Sequence, residues 1–290
     1  MARRPVTVRR YLLGMELRRL RTAAGVKQEA AAVHIDMDDS KMSRIENGSS
    51  PISRPELFEL LRLYGVEEGE GSHFEVLDQL NREARKRGWW HHERGGIPPT
   101  VHQLIDLESS AASMVQFSPL LVPGLLQTEA YARALISSFP VHMAGGVDTG
   151  VGIRMKRQEV LAAPNPPHFI CLLDEAALHR QIGGPKVHAE QLYKLVDVAN
   201  PPTLTIQIVP YERGVHAGLD GGFTLFSYPN PISMEFAFIE YADGRVFIEE
   251  EEQVRAFRRT TDHLRAQALS SDESMRLISS IAGDLERQMR

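Results

Sequence analysis

Three groups of side chains have the type and spacing to do chemistry. The first is a basic head: residues 1–27 hold eight Lys/Arg (Arg3, Arg4, Arg9, Arg10, Arg18, Arg19, Arg21, Lys27) against one acid, Glu16. Cations at that density suit a phosphate backbone. Over residues 1–66 the balance is 12 basic to 8 acidic, which leaves 21 basic and 30 acidic for the remainder of a chain with net charge −5. A basic head on an acidic body is the asymmetry expected when only one end meets phosphate. The second group is His91-His92-Glu93. Adjacent side chains diverge and no third ligand stands at helical spacing, so no metal is expected there. The third is the glycine-rich GVHAGLDGG of residues 214–222. It lies between two strand patterns and opens no helix, so it is no phosphate cradle.

Other routes to catalysis are absent from the sequence. There is no G-x-S-x-G, no H-E-x-x-H, and the single Cys171, inside the run HFICLLDEAAL, is not placed with a histidine as a nucleophile–base pair. No catalytic residue and no cofactor are expected, and the chain reads as a non-enzyme. A lone cysteine cannot form an internal disulfide and fits a reducing cytoplasm. The start MARRPVTVRR has no apolar stretch behind it, so it is not read as a secretory signal. No window approaches the roughly 18 apolar residues of a membrane span. The acidic run Glu249 to Glu252 reads as a solvated strand end.

The elements that must position these groups follow from periodicity and caps. From Tyr11 to Ala24 the residues Leu12, Leu13, Met15, Leu17, Leu20 and Ala24 fall largely on one helical face, and Gly25 supplies a stop. A second short helix begins at Lys27-Gln28, and Ala30, Ala31 and Ala32 supply the small side chains a close helix crossing needs. After the turn Ile35-Asp36-Met37, Asp38 caps a third helix that ends at Asn47-Gly48. Met42 and Ile45 face inward on it, leaving Asp39, Ser40, Lys41, Ser43 and Arg44 outside. Ser53 or Arg54-Pro55 opens a fourth helix, Glu56 to Tyr64, and a fifth spans His73 to Lys86. Gly88-Trp89-Trp90 and the loop after it read as a connector anchored by its tryptophans.

Beyond residue 100 the pattern is mixed. A helix or strand leads into FSPLLVPGLLQT; helices are expected at Glu129 to Phe139, Ile153 to Ala163, the stretch EAALHRQI, and Val187 to Ala199. HFICLL, LTIQIVPY, FTLFSY, FAFIEY and VFIEEE read as strands, with a tight hairpin at Ala242 to Arg245. Two helices close the chain, Gln253 to Leu269 and Ser271 to Met289, with Ser270 and Glu273 as a capping box. In the last of them Met275, Ile278, Ile281, Ala282, Leu285 and Met289 form an apolar stripe that is either core or interface. The fold class is an all-α N-terminal helix-turn-helix domain plus an α+β C-terminal domain, divided as 1–70, a helical connector 71–100, and 101–290.

The string LRRLRTAAGVKQEAAAVHIDMDDSKMSRIENGSSPISRPELFELLRLYGV closely resembles the lambda-repressor-like, xenobiotic-response-element (XRE) family of helix-turn-helix domains. The match is carried by Arg21, Gly25 and Gln28 as R-x-x-x-G-x-x-Q, by Ala32, and by Ser43 to Gly48 as S-R-I-E-N-G. The resemblance implies that the helix after the turn enters the major groove of double-stranded DNA. Gln28 would then bind phosphate and Asn47 lie near phosphate again. Asp39, Ser40, Lys41 and Arg44 would face base edges, with Ser43 on the same side. Arg44 is the candidate for bidentate reading of guanine. It also implies an internal pair between Arg21 and Glu46. Two departures stand out. Asp36 holds the turn position usually given to Gly, which Asp tolerates at modest cost. The acidic pair Asp38-Asp39 would meet phosphates unfavourably, although Asp39 could accept from a cytosine amine.

Further strings resemble the domain that follows the helix-turn-helix in WhiJ-like actinobacterial regulators: GWW (88–90), VPGLLQTEAYARAL (122–135), IRMKRQEVL (153–161), LLDEAALHRQIGG (172–184), IQIVPYERGVHAGLDGGF (206–223) and ALSSDES (268–274). That resemblance implies a regulator working with a small partner protein, some members being antitoxin-like. The expectation is a sequence-specific transcriptional regulator, a repressor, whose C-terminal domain receives a signal from a partner protein or ligand. The alternative is an antitoxin-like protein that binds a small partner and autoregulates. A homodimer on a pseudo-palindrome is expected, and no membrane.

Overall fold

The computed structural model describes residues 8–85, 99–138, 145–228, 234–241 and 244–290. The Trp89-Trp90 anchor, the string GWW and His91-His92-Glu93 lie outside the described residues. The chain divides into two compact units, one made from residues 1–94, 99–110 and 229–234, the other from 95–98, 111–228 and 235–290.

The first unit is helical: α1 (Val8–Ala23), α2 (Gln28–His34), α3 (Asp39–Glu46), α4 (Arg54–Leu63), α5 (His73–Glu83) and α6 (Pro99–Ser110). Its core joins Leu12, Leu13 and Leu17 of α1 to Ala31, Ala32, Met42, Ile45, Leu57, Leu60, Leu61 and Leu77. Of the three alanines, Ala30 is exposed and only the next two are buried, so the crossing needs small side chains on one face alone. Ala24 is also exposed, because α1 ends one residue before it. Ser53 caps α4 in a full capping box with Glu56. Arg54 then reaches α5 with both arms of its guanidinium, Nε and Nη2 each 2.9 Å from an Asp78 oxygen. Burial pushes the Asp78 carboxyl up, but the bonds from Arg54 and Arg82 outweigh it and hold it below its usual range. Helix α6 belongs to this unit: the buried Asp106 carboxylate accepts the backbone N–H of Val8 at the start of α1, whose own first turn holds no acid.

The second unit is a six-stranded sheet flanked by helices. In chain order it holds β1 (Ser113–Ser118), α7 (Glu129–Ser138), α8 (Gly146–Arg157), β2 (His168–Asp174), α9 (Ala176–His179), α10 (Gly184–Val198), β3 (Leu204–Val209), β4 (Phe223–Ser227), β5 (Glu235–Tyr241), β6 (Gly244–Ile248), α11 (Glu251–Gln267) and α12 (Ser271–Gln288). The strand order is β3-β2-β1-β4-β5-β6. β1, β2 and β3 are parallel, as helical crossovers demand, and β1, β4, β5 and β6 pair antiparallel. Phe169 to Leu173 of β2 are all buried, the unbroken apolar run of a strand covered on both faces. The expected helix EAALHRQI shrinks to α9, because Gln181 to Gly183 turn the chain into α10. The stripe of the last helix is core: Ile278, Ile281, Ala282 and Leu285 are buried where α12 packs along α10 and β3, while Met289 remains exposed.

Polar residues of the strings 122–135 and 153–161 interlock with side chains of α10. The buried Gln127 accepts from Arg154 Nη1 at 2.7 Å and donates to Val122 O at 2.7 Å. Lys194 Nζ donates to Gln127 O at 2.8 Å and Gln158 Oε1 at 2.9 Å, and Gln191 Nε2 donates to Leu126 O at 2.8 Å. Beside them His188 is fully buried, with Nε2 donating to Leu178 O at 2.8 Å and Nδ1 without a hydrogen-bond partner. Burial holds its pKa below the usual value. A histidine kept neutral by folding contributes stability that is complete above its unfolded pKa of about 6.5 and lost as pH falls toward the folded value. We predict that melting of the second unit drops between pH 7.5 and pH 5.5, and that His188→Gln flattens this dependence. A pH profile identical in the variant would refute the assignment.

Candidate nucleic-acid interface

The local sequence folds residues 28–47 into two short helices at a fixed crossing. Asp36 takes φ 55°, the left-handed turn that a β-branched residue would resist. Met37 N–H returns to Ala32 O at 2.9 Å and locks that turn. Asp38 caps α3 by accepting from Lys41 N–H at 2.7 Å. Met42 and Ile45 bury the inner face of α3, so Asp39, Ser40, Ser43, Arg44 and Asn47 are exposed on the outer one. Lys41 is half-buried, with Nζ 3.9 Å from Glu56 Oε1. Asn47 closes the helix and accepts from Ser49 N–H at 3.0 Å.

Gln28, the first residue of α2, meets α3 directly: its Nε2 donates to Asp39 Oδ1 at 2.8 Å. The two acids that the sequence sets against phosphate are therefore both engaged locally, one by the helix cap and one by Gln28. That softens the charge conflict without removing it.

Two contacts fix α3 against α1. Arg21 forks onto Glu46, Nε to Oε1 at 2.6 Å and Nη2 to Oε2 at 3.0 Å, while Nη1 donates to Val26 O at 2.9 Å. The side chains are only 12% and 4% exposed. The buried Tyr64 hydroxyl has no hydrogen-bond partner, and burial first, then the Glu46 charge, pushes its pKa up. The second contact is Gly14. A Cβ there would stand 2.4 Å from Ile45 O and 2.6 Å from Glu46 O, so the helices touch backbone to backbone. Sequence reading passed over Gly14, although a glycine inside a leucine-rich helix costs about 1 kcal/mol and signals such a contact. Glu16, read from the sequence only as the one acid of the basic head, is fully buried and held by Arg19 Nε at 2.8 Å and Nη2 at 2.6 Å.

A second surface lies in the other unit, where β1, β2 and β3 end together. In the loop 214–222 buried and exposed residues alternate: Val215, Ala217 and Leu219 point out, His216 and Gly218 point in. Gly218 N–H donates to His216 Nδ1 at 3.2 Å, which leaves Nε2 to donate to Asp174 Oδ2 at 2.9 Å. A Cβ on Gly218 would stand 2.3 Å from the Phe117 ring. The loop is thus clamped from below, with Val215 82% and Leu219 62% exposed.

Among the described residues no group of three His, Cys, Asp or Glu is placed to hold a metal ion, and no helix is long and apolar enough to cross a membrane. Two family models match the chain. A helix-turn-helix domain matches residues 12–74, and a domain of unknown function, DUF5753, matches residues 101–280. No curated protein and no solved structure matches.

Proposed function

We propose that this chain, which belongs to the DUF5753 family and carries a DNA-binding helix-turn-helix, is a sequence-specific transcriptional repressor that binds its operator as a homodimer. The observation that carries the reading is the outer face of α3, where Asp39, Ser40, Ser43 and Arg44 stand exposed on a helix braced by Arg21–Glu46. On this reading Arg44 reads guanine, and Asp39, Ser40, Lys41 and Ser43 face neighbouring bases. Gln28 and Asn47 hold phosphates on either side. The division read from the sequence, 1–70, 71–100 and 101–290, is proposed as a division by family, whereas α5 and α6 pack with the first unit. The resemblance to the WhiJ-like regulators and a cytoplasmic location belong to the same proposal.

The second unit is proposed to receive a signal from a small partner protein, supported by the clamped loop that holds Val215 and Leu219 out in water. An antitoxin-like role differs only in what that partner does. It would be favoured if the gene next door encoded a product toxic when expressed alone.

The operator can be recovered by selection from random duplex DNA. Arg44→Ala should then weaken that operator by about 1–3 kcal/mol and relax preference at one position. Gln28→Ala should weaken all duplexes alike, and a neutral side chain releases no counterion, so the salt slope should not change. Unaltered affinity and preference in Arg44→Ala would overturn the placement of α3.

A further inference from the structure

The two edges of the sheet are finished differently. Edge strand β3 is closed by the connection between α11 and α12 and by the first turn of α12. Leu269 N–H donates to Ile208 O at 2.8 Å, and Ser274 Oγ accepts from Ile208 N–H at 3.0 Å. Gln207 Nε2 adds a bond to Leu269 O at 2.9 Å. At the opposite edge, β6 pairs with β5 alone among the described residues. A strand so placed turns a row of backbone N–H and C=O groups outward, and such rows recruit another strand. Val246, in the middle of β6, is 42% exposed.

The residues along this edge are complementary to themselves. Arg245-Val246-Phe247-Ile248-Glu249 reads cation, three apolar residues, anion. Consecutive residues of a strand turn their backbone groups to opposite sides, so a two-fold antiparallel pair must centre on a residue and not between two. Centred on Phe247, the pair sets Arg245 opposite Glu249 of the second copy, Val246 opposite Ile248, and Phe247 opposite itself. Centred on Val246, it would set Arg245 opposite Phe247. Centred on Ile248, it would set Phe247 opposite Glu249 and Val246 opposite Glu250. Only the Phe247 register matches charge with charge and apolar with apolar.

The surroundings in β5 fit that register. Phe247 already packs on Phe238, directly across from it, with ring centroids 4.9 Å apart and planes tilted by 47°. Two such pairs meeting at the two-fold axis would form one aromatic row across the joined sheet. Arg245 Nε is held at 2.7 Å by Glu240 Oε1 on the same side of the sheet, so its guanidinium is already oriented beside the edge. Ile248 packs on the core through its inner side.

We infer that β6 is the edge through which two copies of this chain associate, in antiparallel register about Phe247, to give one continuous sheet. The inference rests on the homodimer reading above and specifies where that dimer forms.

The test is light scattering of the full chain across a concentration series, with the melting temperature of each variant measured alongside. The wild type should be a dimer. Val246→Lys and Glu249→Lys, both at exposed positions, should still unfold cooperatively, with a melting temperature lowered only by the lost association, and raise the dimer dissociation constant about tenfold or more. Glu240→Lys/Arg245→Glu/Glu249→Arg, which restores opposite charges both across the axis and towards β5, should recover part of the association lost in Glu249→Lys. Hydrogen exchange on the unmodified chain gives an independent reading: amides of 245–249 should gain protection as the protein is concentrated. A wild type that stays monomeric would overturn the homodimer reading and this inference with it. A wild-type dimer that Val246→Lys and Glu249→Lys leave intact, or whose formation leaves β6 exchange unaltered, would overturn the edge while the homodimer stands.

Discussion

Gly14→Ala should destabilise the helical unit and abolish operator binding, although helix propensity alone argues for the opposite sign. In an unobstructed helix the change stabilises by about 0.5–1 kcal/mol. Here the new methyl would sit 2.4 Å from Ile45 O, 2.6 Å from Glu46 O and 2.8 Å from the Glu46 carbonyl carbon. All three are backbone atoms at the end of α3, with no flexible tip to swing aside. Overpacking of this kind costs about 1–3 kcal/mol. Relief by separating α1 from α3 would displace the exposed face proposed to read DNA. We expect a net loss of about 1 kcal/mol, a shift of roughly 4–8 °C in the melting of a unit this size. A melt unchanged or raised, with DNA binding intact, would show that the two helices are free to part.

Breaking the Arg21–Glu46 fork should cost more. Glu46→Ala leaves the Arg21 guanidinium 12% exposed with one backbone acceptor, Val26 O. Arg21→Ala leaves a carboxylate 4% exposed beside the unpartnered Tyr64 hydroxyl. Removing one member of a buried pair costs about 3–5 kcal/mol, because the survivor is left charged and poorly solvated. Arg21→Ala/Glu46→Ala should lose less than the sum of the two single changes, since no orphaned charge remains. Urea titration of the four chains closes the cycle. Additive losses would mean that the side chains act separately despite their 2.6 Å contact.

What could be read from the sequence was what neighbours decide. The Asp38 cap, the Ser270–Glu273 box and the outer face of α3 all depend on residues within one or two turns. The stretch after residue 100, readable as helix or strand, is both in succession: α6, then β1 from Ser113. What escaped was set by distant chain. Glu16 looks like a surface acid until Arg19 and His73 close over it. The place of β1 between β2 and β4 depends on partners more than 50 residues away. The candidate DNA-facing residues were legible because the helix-turn-helix spacing is local. The clamp under Val215 and Leu219 was not, because it needs Asp174 and Phe117.

The bond from Val8 to Asp106 sets an order of events during synthesis. The helix-turn-helix match ends at residue 74, yet the group that satisfies the first turn of α1 is added 32 residues later. A nascent chain long enough to fold the match still lacks the Asp106 acceptor of the Val8 N–H. At about 5–20 residues per second, α6 follows within seconds. Until it emerges, the unit that would engage DNA lacks this contact, whose acceptor lies in the part of the chain matched by DUF5753.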